Sequence, residues 1–402
     1  MSGIFDGVKV TEFTHYGIGP MTGRYLADHG ATVVHVESAT RPDAVRTSPP
    51  FRDGAVGLNR GGFFSNLNTS KMSVSINLKA EPGLELAHRL TAWADVVVEN
   101  FAPGVLRRMG LGYEDLVKLN PDLVMISLTN LGQTGPYAGH PGTGTVAQAV
   151  AGLVHLLGWP DRGPATPFGA ISDFVAPYFG ALVVAAALDH RRRTGQGQYI
   201  DLSQFEVSAW LIAPALLDRA VNAREAVRRG NRDPQAAPHG AFPAQGDDRW
   251  LAIACTTDEE WRALCRAMGQ PHLASDPRFA TLEARKKNED ELEAMVAAWT
   301  RRLPAQDAMH LLQRAGVPAG VVQDMAELYQ DPQLQHRQHF RLLDHPEIGP
   351  HRHQAHGALF SHTPAEVRRA PMLGEHNEEV LRELLGLSEE EYVDLVLQRV
   401  IE

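Results

Sequence analysis

The chain has 402 residues, 44% of them hydrophobic and 21% charged, and a net charge of −10 with its eighteen histidines neutral. That length exceeds one compact core, so two domains are expected, and the acidic balance excludes a protein that coats nucleic acid. No window reaches the roughly 18 uninterrupted apolar residues of a membrane span, MSGIFDGVKV is no secretory signal, and Cys255 and Cys265 fit neither a disulfide framework nor a metal pattern; a cytoplasmic protein with no membrane partner is expected.

In chain order, β-branched runs at 8–13, 32–37, 74–78, 96–99 and 123–128 read as strands, with helices at 21–29 and 82–94 between them. Strand–helix alternation of this kind builds a parallel sheet covered on both faces, and the near-continuous apolar character of the strands fits that burial. Residues 174–188 are the most apolar stretch, read as a buried helix running into the basic segment 189–193. A short strand at 199–201 and a helix from 203 to about 221 complete this part. The polar stretch 219–235 reads as a linker. A hairpin at 241–244 and 250–255 follows, then helices at 258–268, 282–302 and 305–315. Beyond 325 the chain is loop-rich, ending in helices at 377–385 and 388–397. The expected fold class is α/β: a large doubly wound parallel-sheet domain from 1–220, a smaller α+β domain from 226–325, and a return segment, 326–402, to the large domain.

The first strand runs into Gly17, Gly19 and Gly23 and then a helix, with Glu37 closing the next strand about twenty residues on. This approximates the dinucleotide fingerprint, but the third glycine is one residue late and Pro20 stands beside the second. Two readings fit better. One is a tight turn that uses glycine for positive φ; the other is a helix N-terminus offered to a different phosphorylated nucleotide, coenzyme A included.

Several blocks in one order carry a resemblance that runs essentially end to end: VKVTEFTHYGIGPMTGRYLADHGATVVHVE, NTSKMSVSINLK, ADVVVENFAPGVLRRMGL, ISDFVAPYFGALVVAAALDHRRRTGQGQYIDLS and APMLGEHNEEVLRELLGLS. The chain resembles the family III coenzyme A transferases, typified by formyl-CoA:oxalate and carnitine CoA-transferases. The resemblance implies that CoA moves from an acyl-CoA donor to a carboxylic acid acceptor through an aspartyl–acyl anhydride at Asp173. It points to His15, Lys71, Asn100 and Arg108 for CoA, with Arg107 and Arg41 as neighbours. It implies no tightly bound cofactor and no metal, with CoA and acyl-CoA as substrates, and an interlocked homodimer. Residue chemistry fits: a carboxylate with an ordinary pKa of about 3.9 is ionised at neutral pH and attacks a thioester without a general base. Asp173 precedes an apolar helical run, so it also reads as a helix N-cap, a role the dipole makes compatible with ionisation.

Departures bear on the substrate. The formyl-CoA enzyme has glutamine where this chain has Gly17, a tyrosine–glutamate pair at Thr143-Gly144, and a basic residue at Ser38, so formyl-CoA and oxalate are not expected and the pocket should be roomier. The segment 158–162 resembles members that use succinyl-CoA. Residues 230–240 lie where the family has a mobile glycine loop, of which only Gly230 is present. The histidines His336, His339, His345, His351, His353, His356 and His362 have no companion ligand pattern and read as a solvated loop. An acyl-CoA racemase of the same fold needs a second acid/base group opposite the aspartate; its histidine position falls at Thr143, with His140 three residues upstream. A non-catalytic CoA-binding protein is the other alternative.

Overall fold

The computed structural model describes residues 3–402, and the chain forms two compact units. The larger comprises residues up to 154, then 166–225 and 333–402; the smaller comprises 155–165 and 226–332.

Six strands form the sheet of the larger unit: β1 (Lys9–Phe13), β2 (Thr32–Glu37), β3 (Met72–Ser75), β4 (Val96–Glu99), β5 (Val124–Thr129) and β6 (Gln198–Ser203). All pairings are parallel, in the order β3-β2-β1-β4-β5-β6, the doubly wound arrangement expected from the alternation. Alternate side chains serve two cores. Val97 and Met125 pack with Val34, Val74, Leu86 and Leu90 on one face, whereas Val96, Val98, Val124 and Ile126 pack with Leu26, Ala176 and Val184 on the other. The helices are α1 (Ile18–Asp28), α2 (Glu81–Trp93), α3 (Val105–Arg108), α4 (Gly144–Val150), α5 (Ile171–Thr194), α6 (Gln204–Leu211) and α7 (Ala213–Asn222). The run 203–221, read as one helix, is two: Ile212 leaves helical geometry (φ −106°, ψ 18°) just before Pro214, which lacks the N–H a continuous helix needs.

Helix α5 differs from its reading as a buried helix. At 24 residues it is long and apolar enough, by length and composition alone, to cross a membrane, although its uninterrupted apolar run, 174–188, is bounded by Asp173 and Asp189. Its buried stripe is made of small residues, Ala176, Gly180, Ala181, Val184 and Ala187, while Phe174, Tyr178 and Leu182 are exposed. The small stripe lets α1 come close: a Cβ on Gly180 would stand 2.8 Å from Thr22 Oγ1. The helix ends at Gly195 (φ 74°), with Arg191, Arg192 and Arg193 in its last turn.

In the smaller unit β7 (His239–Pro243), β8 (Trp250–Ala254) and β9 (Ala319–Val321) form an antiparallel sheet. Helices α8 (Asp258–Ala267), α9 (Glu289–Thr300) and α10 (Ala305–Arg314) pack a core around Trp261, Leu264, Phe279 and Leu292. The segment read as one helix over 282–302 is interrupted at Asn288 (φ −112°, ψ 30°). Burial pushes the thiols of Cys255 and Cys265 up to about 12, which leaves them inert. Residues 155–165 join this unit through hydrogen bonds from Arg228 to the His155 carbonyl (3.0 Å) and from Gly230 N to the Gly158 carbonyl (2.8 Å).

The return segment carries a hairpin, β10 (Phe340–His345) and β11 (Gly349–Gln354), where loop was expected. His345, His353 and His356 are buried, so the histidine-rich stretch is not a solvated loop. His356 is held by Asp28, at the end of α1. Its carboxylate accepts from Arg24, Thr69 and Ser70 and lies 2.8 Å from His356 Nε2, tying the returning chain to the sheet domain. Near the C-terminus the expected helix over 377–385 is a π-helical turn, Glu379–Leu384.

Candidate active site

The strand order reverses between β1 and β4, and open sheets of this kind bind ligands beyond the strand C-terminal ends at that point. The two loops there are clamped together. Asn100, after β4, accepts from the His15 backbone N–H (2.8 Å) and donates to the His15 carbonyl (2.6 Å). Tyr16 follows in a left-handed conformation (φ 63°), a costly one for a residue with Cβ. The Asp43 carboxylate holds it by accepting its N–H (3.0 and 3.2 Å), together with that of Val45 (3.1 Å). Burial pushes Asp43 up to about 6, against those backbone donors.

The three glycines of this turn do not serve positive φ. Gly17 caps α1 at φ −99°, and Gly19 and Gly23 lie within the helix. Each answers a close approach instead. A Cβ on Gly23 would stand 1.7 Å from Glu12 Oε2, one on Gly19 2.9 Å from the Asn100 side chain, and one on Gly17 3.2 Å from Asp173 Cβ.

Asp173 is not the N-cap of its helix. Ala170 holds that position, Asp173 is the third helical residue, and the open N–H of Ile171 is met by Gln148 Oε1 from α4 (3.1 Å). The Asp173 carboxylate packs against two glycines and one amide. Gly17 lies on one side; on the other, a Cβ at Gly144 would fall 2.2 Å from Oδ1, and Gln204 Nε2 donates to that same oxygen. Burial raises the Asp173 carboxyl above the usual carboxylate range, and the Gln204 hydrogen bond opposes the rise.

A cavity of about 480 Å³ opens beside the clamp, lined by His15, Tyr16, Arg41, Lys79, Asn100 and Phe101 among others. Its wall is largely apolar; the His15 ring lies 5.3 Å from that of Phe101. Burial holds His15 down to about 4, so at neutral pH it offers a neutral ring and no charge. Of the residues singled out in the sequence for CoA, His15, Asn100 and the neighbour Arg41 line this cavity. Arg108 stands exposed on α3 beside Arg107, near Gly104, outside the lining set.

Lys71 requires a correction. Its ammonium is buried and spends its three protons inside the protein, on Glu12 Oε1 (2.5 Å), the Pro20 carbonyl (2.8 Å) and Asn68 Oδ1 (2.8 Å). None is left for a phosphate. Lys71 precedes β3, whereas ligands meet the far ends of the strands. The lysine beyond that end is Lys79, which lines the cavity and which sequence reasoning missed. Its position at the close of the INLK run, past a strand end, was the available signal. Beneath the site the buried charges continue: His35 Nδ1 lies 2.6 Å from Glu12, and Arg46 pairs with Glu37 (2.6 Å). Burial alone would raise Glu37, but His35 and Arg46 hold it down to about 2.

A doubly wound sheet with an apolar cavity at its switch point, cations at the rim and a partly buried carboxylate one turn away defines an enzyme for a phosphorylated nucleotide carrier. Comparison with known proteins gives the family. The profile described as CoA-transferase family III matches residues 5–377. A succinyl-CoA–D-citramalate CoA-transferase of Chloroflexus aurantiacus is 36% identical over 397 residues, 98% of each chain. A succinate–glutarate CoA-transferase of Agrobacterium fabrum is 33% identical, covering 94% of this chain and 95% of that one. The crystal structure of a CAIB/BAIF family protein from Brucella suis superposes with a TM-score of 0.87 at 33% identity, over 96% of this chain and 100% of that one. The chain belongs to the family III CoA-transferases and is an enzyme of that class, acting on CoA thioesters.

Two outcomes follow from the geometry. Lys71→Met leaves Glu12 without its ammonium in a closed interior and should cost about 3–5 kcal/mol of stability, read by urea denaturation. A variant of unchanged stability that binds CoA more weakly would instead restore the phosphate role. Gly144→Ala places a methyl against the Asp173 carboxylate and should lower kcat by about 100-fold, the scale of an ångström-sized misplacement, with the denaturation midpoint retained.

Proposed function

We propose that this CoA-transferase takes CoA from succinyl-CoA and passes it to a second carboxylic acid through an anhydride on Asp173. The observation that carries the reading is the placement of the Asp173 carboxylate against Gly17, two residues along the chain from His15 in the cavity wall. The relatives named for succinyl-CoA and for succinate support the donor.

Chemically, the ionised carboxylate attacks the thioester carbonyl, the C–S bond breaks, and CoA leaves as a thiolate; no proton moves. The nucleotide end of CoA is read as lying in the cavity, its ring against His15 and Phe101 and its phosphates toward Arg41, Lys79 and Arg108, with Asn100 clamping the two loops together. The acceptor side is bounded by Gly144 where the formyl-CoA enzyme carries an acid. Ser38, in place of a basic residue, lines the cavity and donates to Glu402 (2.7 Å).

Against the racemase reading, His140 is exposed against Tyr137, and the amide of Gln204 is the side-chain donor to the Asp173 carboxylate. We also read the enzyme as an interlocked homodimer. Tyr178 and Leu182 on α5, Trp210 on α6, and Leu216, Leu217 and Val221 on α7 are exposed apolar surface that a second copy would cover. That reading assigns the apolar length of α5 to an interface and not to a membrane, and the buried free thiols fit a reducing, cytoplasmic setting.

Intact-protein mass after mixing with a panel of acyl-CoAs should show an adduct with succinyl-CoA that hydroxylamine removes, leaving a hydroxamate on Asp173. Asp173→Ala should abolish transfer and keep CoA binding. No adduct with any donor, combined with exchange of a substrate α-proton into deuterated solvent, would overturn the reading. Light scattering at micromolar concentration should give the mass of a dimer; a monomer would refute the interlocked assembly.

A further inference from the structure

The two oxygens of Asp173 do not see the same surroundings. Oδ1 faces Gly144 and accepts the amide of Gln204; Oδ2 lies on the Gly17 side, 3.6 Å from where a Cβ on that glycine would be. Gln204 is itself buried, at 1% exposure, in a chain segment that is otherwise built for packing. It is the first residue of α6, immediately after Ser203, whose hydroxyl caps that helix by accepting from Glu206 N. Its backbone carbonyl accepts from Ser208. The backbone needs of the turn are therefore met by Ser203 and Ser208, and nothing in them asks for an amide side chain. A buried amide is costly unless it is paired, and the partner found for this one is the reacting carboxylate.

We propose that Gln204 is a positioning residue for acyl transfer, fixing Oδ1 as the retained oxygen of Asp173 and Oδ2 as the one that attacks. The inference rests on the anhydride reading of Asp173. Oδ2 forms the new bond to the thioester carbon as CoA leaves with the C–S electron pair. The returning thiolate then attacks Cγ of Asp173. The negative charge of that tetrahedral species falls on Oδ1, where the Gln204 N–H already points, and the Cγ–Oδ2 bond breaks to release the donor acid. The acceptor carboxylate attacks the same Cγ, again placing charge on Oδ1, and expels the thiolate. Thiolate attack on the acceptor's acyl carbon then forms the product thioester and returns Asp173 as a carboxylate. A preorganised donor matters most at such an oxyanion. The amide thus acts twice in each turnover, once on the resting carboxylate and once on the aspartyl carbonyl.

The test uses the full-length enzyme with Gln204→Leu and the longer-reaching Gln204→Met, each checked for its denaturation midpoint and CoA affinity so that a folding defect in one leaves the other to read. Loss of one such donor is expected to lower kcat by roughly 100-fold, with KM for the acyl-CoA little changed. Removing a donor to the charged form also favours the protonated acid, so the acidic limb of the kcat profile should move to higher pH. Gln204→Glu, which sets a second carboxylate beside the first, should move that limb further still. Wild-type kcat in both apolar variants would overturn the proposal, as would a loss of kcat with the limb unmoved, which marks a purely structural role. Asp173→Ala separates the two levels. If it is inactive while Gln204→Leu and Gln204→Met behave as wild type, only the role of Gln204 fails; if it still transfers CoA, the anhydride reading itself fails.

Discussion

The seating of a carboxylate between two glycines is the contact on which the rest of this site depends. Asp173 opens α5, Gly17 caps α1 and Gly144 opens α4, so three helix starts converge on one side chain. A Cβ at Gly144 would stand 2.2 Å from Oδ1, inside the space of the carboxyl group, and one at Gly17 would press on Asp173 Cβ at 3.2 Å. Each start is held by something more distant. Helix α1 follows the strand whose loop is clamped by Asn100, α5 is drawn in by the approach of Gly180 to Thr22, and Gln148 of α4 satisfies the first open N–H of α5. Among the described residues no cation pairs with Asp173; one amide offsets part of the burial, leaving a carboxylate more basic than its exposed counterpart.

The charges that the site itself lacks lie below it. Glu12, His35, Lys71, Glu37 and Arg46 form a closed polar layer near the strand ends, each burying charge that only its neighbours can compensate. Breaking one pair leaves the other member stranded, so the layer resists rearrangement. It connects to the ligand side through Asp43, which lies next to this layer and holds Tyr16 in its left-handed turn. Arg41 and Lys79 line the cavity and lie outside the layer.

Much of the sheet was legible because strands buried on both faces leave continuous apolar runs, and 32–37 and 96–99 fall where they were expected. The glycine turn was legible as a strand-to-helix turn, but the need for its glycines was not: positive φ is not the reason, and the groups they make room for, Glu12, Asn100 and Asp173, come from three separate stretches of chain. Lys71 and Lys79 look alike in sequence and differ only in which end of β3 they occupy. Helix α5 read as buried because its composition is apolar on every side; which stripe is covered depends on the fit of small residues against α1. The β10–β11 hairpin was hidden by its polar composition, and just beyond it His356 is held by Asp28, more than 300 positions away in sequence.

The central claim is that the Asp173 carboxylate exchanges an oxygen with the acids it serves, and isotope transfer tests it most directly. The enzyme would be turned over with succinyl-CoA and an acceptor acid labelled with oxygen-18 in its carboxylate, then digested and the Asp173 peptide weighed. The account predicts that heavy oxygen appears in the Asp173 side chain and nowhere else in the protein. Turnover with no label in that peptide would contradict it.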